Sequence, residues 1–476
     1  MPGDEIDLLA IDGGTVTAPA GCGKTYLIAE ALKRHDDTKP VLVLTHTNSG
    51  VAALRGRLNR AGVPPAAYRL VTIDGWAIRL ISTFPTRAGH NPDILKLDQP
   101  KRDYPNIRVA AARLLKAGHV SDVLAASYAR LLVDEYQDCS IRQHAIVYYA
   151  ARVLPTCILG DPMQAIFNFG NDELAKWDEH VCNHFPIAGE TNTPWRWINA
   201  ENEPLGRWLL KVRRSLLADE PIDLRTAPES LTWVELDGTA SDHMKLLAAA
   251  RTRVPGGNGC VLIIGDSINA NSRYRIASSV AGAVTVEAVD LRDLVSFARD
   301  LNLVAPDALE RIATFAQSVM ANVGAADLVR RVKSLMQGTA RKEPTEVENT
   351  AIAFVREPSY RKVVDLLVEI SKEGGVRTYR PAVLRACIGA LQMCDATEGR
   401  SFHEAAMRVR EQKRLQGRAL PKRAVGSTLL LKGLEAEVAV ILNANDLDAR
   451  NLYVALTRGS KALTVCSPTP VLKPRP

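Results

Sequence analysis

Short apolar runs of strand length alternate with helix-period segments through the first 170 residues. Thr15-Val-Thr17 leads into a glycine-rich turn, and the spacing then predicts a helix over residues 26–34. Val41-Leu-Val-Leu-Thr45, Leu131-Leu-Val-Asp134 and Cys157-Ile-Leu-Gly160 are continuous apolar runs, as expected of parallel strands covered on both faces. Between about 77 and 130 the pattern turns polar and proline-containing, then helical over 107–117 and 120–129, which reads as a small insertion. A second alternating region starts with Leu231-Thr-Trp-Val-Glu-Leu236 and Cys260-Val-Leu-Ile-Ile264. From about 290 to 415 apolar residues recur at helical spacing, for example Val363, Leu366, Leu367 and Ile370. Strand patterns return at Glu437-Val-Ala-Val-Ile-Leu442 and Ala462-Leu-Thr-Val-Cys466. The helical block therefore reads as an insertion in a second α/β domain. The expected fold class is α/β: two P-loop-type domains with parallel sheets, each carrying a mainly helical insertion, over 1–190 and 191–476.

Bulk properties narrow the class. A chain of 476 residues exceeds what one core accommodates. A net charge of +7 tilts toward a polyanionic partner without demanding one. The eight cysteines form no CxxC pair, and Cys22 sits within the glycine turn, so reduced thiols and a cytoplasmic location are expected. His180, Cys182 and His184 cluster, but no second group at zinc spacing completes a ligand set. No apolar run reaches the roughly 18 residues that span a bilayer, so no membrane association is expected.

Each chemical motif directly follows an apolar run, where ligands of parallel α/β sheets bind. Ala18-Pro-Ala-Gly-Cys-Gly-Lys-Thr25 matches the phosphate-loop pattern except that Ala18 stands in place of its first glycine. Gly21 and Gly23 let backbone N–H groups turn toward phosphate oxygens, with Ala20, Cys22 and Tyr26 completing the nucleotide-binding segment. Lys24 would reach the β- and γ-phosphates, and Thr25 would hold Mg²⁺. Asp134 and Glu135 end a buried strand, where unpaired carboxylates are costly. Asp134 is assigned to Mg²⁺, and Glu135 to the base that activates the attacking water. Gln164 ends another strand and is placed to sense the γ-phosphate. Arg196 and Arg458 would supply positive charge to the transferring phosphoryl group. A lone arginine usually serves solvation or an ion pair; the surrounding motifs favour the catalytic assignment.

Six segments occur in one order: the phosphate loop, Asp134-Glu-Tyr-Gln-Asp138, Gly160-Asp-Pro-Met-Gln-Ala-Ile-Phe167, Pro194-Trp-Arg-Trp197, Lys432-Gly-Leu-Glu435 and Tyr453-Val-Ala-Leu-Thr-Arg458. The set resembles superfamily 1A helicases of the UvrD/Rep/PcrA type. The resemblance implies two RecA-like motor domains with ATP and Mg²⁺ between them, moving 3′ to 5′ on single-stranded DNA or on a duplex with a single-stranded tail. It also implies that Trp195 stacks on adenine and that Arg196, Glu435 and Arg458 face the nucleotide from the second domain. Strand contacts would come from Thr47 and Asn48, from residues 72–76 including Trp76, and from base stacking on Phe167 and Phe169.

This sequence departs from the family pattern in several places. No glutamine occurs among the 23 residues before Lys24, which leaves ATP-over-GTP selectivity open. Gly170 and Leu429 stand where the family carries an arginine and a histidine that couple DNA contact to hydrolysis. The insertions are short. Length and motif spacing resemble the UvrD-like subunit of two-gene bacterial antiphage systems of the Gabija type, in which the partner is an ATPase–nuclease. The competing readings are a nucleic-acid-stimulated NTPase that regulates such a nuclease and, more remotely, another P-loop enzyme such as a kinase. A kinase leaves the Tyr-Val-Ala-Leu-Thr-Arg segment without a role.

Overall fold

A computed structural model of the chain describes residues 6–167, 172–288, 290–395, 401–414 and 421–475. The chain divides into two compact units. The first gathers the chain up to Leu231 with Asn445–Lys461 and the segment from Pro470; the second gathers Thr232–Ala444 with Ala462–Thr469.

The first unit is built on a six-stranded sheet of β1 (Gly13–Thr17), β2 (Val41–Thr45), β3 (Tyr68–Thr72), β4 (Leu131–Val133), β5 (Thr156–Gly160) and β6 (Ile187–Glu190). Its spatial order is β3-β2-β4-β5-β1-β6, and each neighbouring pair is parallel. This is a RecA-like arrangement: β1, β4 and β5 lie side by side, so the loops after their carboxyl ends converge. All five residues of β2 are buried, because alternate side chains enter two different cores. Leu42 and Leu44 pack with Ile73, Ile107 and Leu131 on one face; Val41 and Val43 pack with Ile28, Leu32 and Leu58 on the other. A continuous apolar run is the sequence consequence of that double burial.

The insertion between β3 and β4 is helical, with helices at Ile73–Thr83, Pro100–Lys116 and Ser121–Ser127. The middle helix begins at Pro100, several residues before the apolar pattern that the sequence offers. Pro100 at the first position is pre-set for helix, and the Gln99 N–H donates to Asp103 Oδ2 at 2.8 Å, fixing the start before any apolar residue appears.

The second unit carries the other six-stranded sheet, in which Val284–Thr285, Arg423–Gly426, Val261–Ile264 and Ala436–Ile441 are adjacent and parallel in that order. The first two of these strands flank the helical block in sequence and neighbour each other in space. The block is therefore an insertion, and it has its own core running from Leu291 to Val409, including Phe315, Phe354, Leu366 and Leu391. No helix among the described residues is long and apolar enough to cross a membrane.

Candidate active site: the phosphate loop and the acidic strand ends

The phosphate loop joins β1 to the helix Lys24–Arg34, which buries Leu27, Ile28, Ala31 and Leu32 against the sheet. Gly23 caps this helix with φ +87° and offers no side-chain bond, and the first turn holds no acidic residue. The first-turn N–H groups are thus left for an anion. Gly21 (φ +72°) is required twice over. Its backbone is left-handed, and a Cβ there would stand 2.5 Å from Trp197 Cζ3. A Cβ on Gly23 would meet Trp195 Cδ1 at 3.0 Å. The Pro194-Trp-Arg-Trp segment therefore packs directly on the loop, and the Arg196 N–H donates to Gly21 O at 3.0 Å.

The structure brings the lysine and the two acids together. Lys24 Nζ stands 2.6 Å from Glu135 Oε1 and 3.4 Å from Asp134 Oδ1. Burial alone would lower the Lys24 pKa, but the Glu135 and Asp134 carboxylates outweigh it and hold it above the usual lysine value. Burial raises Asp134 above the usual carboxylate range against the pull of Lys24, with Glu135 adding to the rise. A buried carboxylate in that state gains from a further cation. Asp134 and the Thr25 hydroxyl form an oxygen-only donor set of the kind Mg²⁺ takes, so the residues present fit that ion. Glu135 adopts φ +56°, a strained conformation for a non-glycine residue that costs on the order of 1–3 kcal/mol. Gln137 accounts for its persistence. Its Nε2 donates to Glu135 Oε2 at 2.5 Å, while its Oε1 accepts the Asp161 N–H at 3.1 Å. Gln137 thus ties the acidic turn after β4 to the loop after β5.

Three residues of this site lie outside the roles read from the sequence. Arg213, from the helix Glu203–Leu217, donates from Nε and Nη2 to Asp161 Oδ1 at 3.2 and 3.0 Å; Asp161 is fully buried and Arg213 is 6% exposed. The other Asp161 oxygen accepts from Gln164 Nε2 at 3.2 Å, so Arg213 fixes the loop that carries Gln164. The Tyr453 hydroxyl accepts the Ala20 N–H at 3.1 Å, anchoring the phosphate loop from near the C-terminus. Arg57 Nη1 donates to Thr25 Oγ1 at 2.9 Å. Alternating basic and apolar positions on helices 203–217 and 48–60 carry no local sign of these contacts. Cys22 is buried within the loop, and burial, then Asp161, pushes its thiol up to about 12.

The distant arginines have specific partners. Arg196 Nη1 donates to Thr457 O at 2.6 Å. Arg458 is 3% exposed and donates from Nε to Val454 O at 2.8 Å and from Nη2 to Thr457 Oγ1 at 3.1 Å. Both belong to the first unit, where the Trp197 indole also donates to Gly459 O at 3.0 Å. The sequence reading expected both to face the nucleotide from a second domain; Arg196 meets the phosphate loop through its N–H on Gly21 O, and the Arg458 guanidinium bonds back to Val454 and Thr457. Tyr26 is exposed and Gln164 buried. Glu435 is exposed in the second unit, after the left-handed Gly433.

The expected strand contacts divide. Thr47 caps the helix Asn48–Arg60 by accepting from the Gly50 N–H at 3.0 Å, and Asn48 is exposed. Phe167 is half-buried, with its ring 5.7 Å from that of His46, so two of the expected segments are brought together. Trp76 is different: it is 3% exposed and packs among Leu42, Ile73 and Leu80, because Thr72 caps its helix and turns that face to the core. Within residues 72–76 only Thr72, Asp74 and Gly75 reach the surface. Phe169 and Gly170 lie outside the described residues. His184 Nδ1 and His144 Nε2 are 2.8 Å apart, and His180 Nδ1 accepts the Lys176 N–H at 3.0 Å.

Residues 97–176 match the family model of the UvrD/REP helicase N-terminal domain. The matched stretch contains β4, Asp134, Glu135 and Gln164. No curated protein matches the chain in sequence. Among solved structures, a Pif1 helicase from Candida albicans is similar with a TM-score of 0.40 and 11% identity, over 98% of this chain and 95% of that one.

Proposed function

We propose that this protein is an ATP-driven motor on nucleic acid: a DNA helicase or translocase that moves 3′ to 5′ on single-stranded DNA. The observation that carries the reading is Lys24 Nζ lying between Glu135 and Asp134 at the foot of a phosphate loop whose helix N-terminus receives no side-chain cap from Gly23. The Lys24 ammonium would pair with the γ-phosphate of ATP, and Glu135 would accept a proton from water as the water oxygen attacks the γ-phosphorus. The bond to the bridging oxygen then breaks, giving ADP and phosphate. Thr25 and Asp134 would hold Mg²⁺, which supplies charge neutralisation on the phosphates. Gln164, held by Asp161, would orient the water. Trp195, packed on Gly23, would meet the adenine.

The alternative is a nucleic-acid-stimulated NTPase that serves a partner nuclease in antiphage defence, with little unwinding. It is favoured by Gly170 and by Leu429, whose side chain is exposed and apolar where a polar coupling residue is expected. ATP hydrolysis by the purified chain, with and without single-stranded DNA and with Glu135→Gln as the blank, separates the readings. Strong stimulation followed by strand displacement supports the motor. Stimulation without displacement supports the regulatory NTPase, and hydrolysis that Glu135→Gln leaves intact overturns both.

Two substitutions test particular assignments. Arg458→Ala should leave nucleotide affinity within about threefold and lower turnover by roughly 100-fold if its charge reaches the phosphoryl group. Retained turnover would mean that Arg458 serves only as the cap of its own helix, as its bonds to Val454 and Thr457 allow. Phe167→Ala should weaken single-strand binding by about 1–3 kcal/mol without altering nucleotide affinity in the absence of DNA. Fluorescence anisotropy showing unchanged strand affinity would assign the ring to packing against His46.

A further inference from the structure

Arg108 lies on the inserted helix Pro100–Lys116, in no sequence motif, yet it joins a segment assigned to strand contact to the return segment that starts at Asp172. Its Nε donates to Asp74 Oδ1 at 2.7 Å and its Nη2 to Asp74 Oδ2 at 2.5 Å, a two-pronged pair with the first turn of the helix that starts at Ile73. Its Nη1 donates to Asp172 Oδ2, just after Phe167 in the chain. Arg142 Nη1 binds the other Asp172 oxygen at 2.5 Å. Gln143, fully buried, donates from Nε2 to Asp74 Oδ1 at 3.2 Å and accepts the Ser140 N–H through Oε1 at 3.0 Å. Ser140 follows directly on the Asp134–Asp138 segment. The adjoining return segment is pinned to it by Ile141 N–H to Glu173 O at 2.8 Å and Ala175 N–H to Cys139 O at 2.9 Å.

The side chains of Arg108, Asp74 and Asp172 are 14%, 18% and 10% exposed, so this is a semi-buried cluster and is only weakly screened by salt. Asp74 would otherwise oppose a phosphate backbone at a segment expected to receive one. The guanidinium neutralises it and fixes the spacing between residues 72–76 and Asp172.

The geometry points to Arg108 as a positioning residue for nucleic-acid binding: it holds the strand-contact segment 72–76 in register with the return segment at Asp172 and, through Gln143 and Ser140, with the acidic turn. This rests on the proposed motor reading. The test uses the full chain and measures ATP hydrolysis against single-stranded DNA concentration. Arg108→Gln should raise the half-stimulating DNA concentration by about tenfold while turnover at saturating DNA stays within about twofold. Arg108→Lys keeps the charge but loses the fork, and should fall between. Arg142→Gln loosens only the Asp172 arm from a more exposed position and should shift the same concentration in the same direction by less; it carries the test if Arg108→Gln fails to fold. If wild-type hydrolysis ignores DNA, the motor reading fails and the clamp with it. If the wild type responds but Arg108→Gln, or Arg142→Gln in its place, keeps the wild-type half-stimulating concentration, the clamp alone is overturned. Loss of turnover and melting temperature together, with that concentration unchanged, makes Arg108 purely structural and also overturns it.

Discussion

Lys24→Ala should lower ATP hydrolysis by at least about 100-fold, the scale on which removing one preorganised charge from a phosphoryl-transfer site acts. The structure adds a reason beyond the lost phosphate contact. Lys24 is paired with both Glu135 and Asp134, and burial already pushes Asp134 above the usual carboxylate range. Without the ammonium, two adjacent carboxylates face each other in a poorly solvated strand end. Asp134, already raised by burial, is then driven further toward its protonated form, because Lys24 is the neighbour that pulls it down. Nucleotide affinity should fall as well, because the γ-phosphate loses its counter-charge while the helix N-terminus remains. Steady-state hydrolysis alongside titration of a fluorescent ADP analogue separates the two effects. ADP touches the loop but lacks the γ-phosphate, so its affinity should fall far less than turnover. Turnover within threefold of wild type would remove Lys24, and with it the loop, from the active site.

The second large effect is on stability. Arg213→Ala should destabilise the first unit by about 3–5 kcal/mol, the cost of leaving one member of a buried ion pair without its partner. Asp161 is fully buried and receives two of its bonds from Arg213. Its remaining donors, the Met163 N–H at 3.2 Å and Gln164 Nε2 at 3.2 Å, are neutral and cannot balance a buried charge. The expected readout is a lower urea midpoint for the unfolding transition reported by Trp195 and Trp197, both in this unit. Arg213→Ala combined with Asp161→Asn should recover part of the loss, since no charge is then stranded. A single-variant loss below about 1 kcal/mol would show that water reaches Asp161 freely and that the pair is an ordinary surface contact.

The two predictions differ in how visible their residues are in the sequence. Asp134 and Glu135 could be picked out as candidates because they sit at a strand end, and Lys24 and Thr25 because they open the helix after a glycine turn that follows a strand. A strand buried on both faces leaves a continuous apolar signature, and the motif begins where that signature stops. β2, β4 and β5, the helix after the phosphate loop and the helical insertion between 284–285 and 423–426 were legible for the same reason. Their stabilising contacts follow from local period and apolar content. The helix start at Pro100 was missed because it is set by a proline and an Asp103 cap, not by apolar spacing.

Arg213, Gln137, Tyr453, Arg57 and Arg108 were not legible in these roles. Each acts through a hydrogen bond or ion pair to a distant part of the chain, and a basic or hydroxyl side chain on an amphipathic helix looks the same whether it faces water or a buried aspartate. Trp76 shows the converse: an aromatic in a motif position reads as a ligand contact until the cap at Thr72 turns its face inward. The sequence by itself determined the order of strands and loops, and therefore which residues could meet a phosphate, because local periodicity and motif spacing are properties of neighbouring residues. Only the tertiary structure decided which charges are paired, which arginines hold which loops and which aromatic is buried, because those outcomes depend on side chains that packing, not sequence proximity, brings within bonding distance.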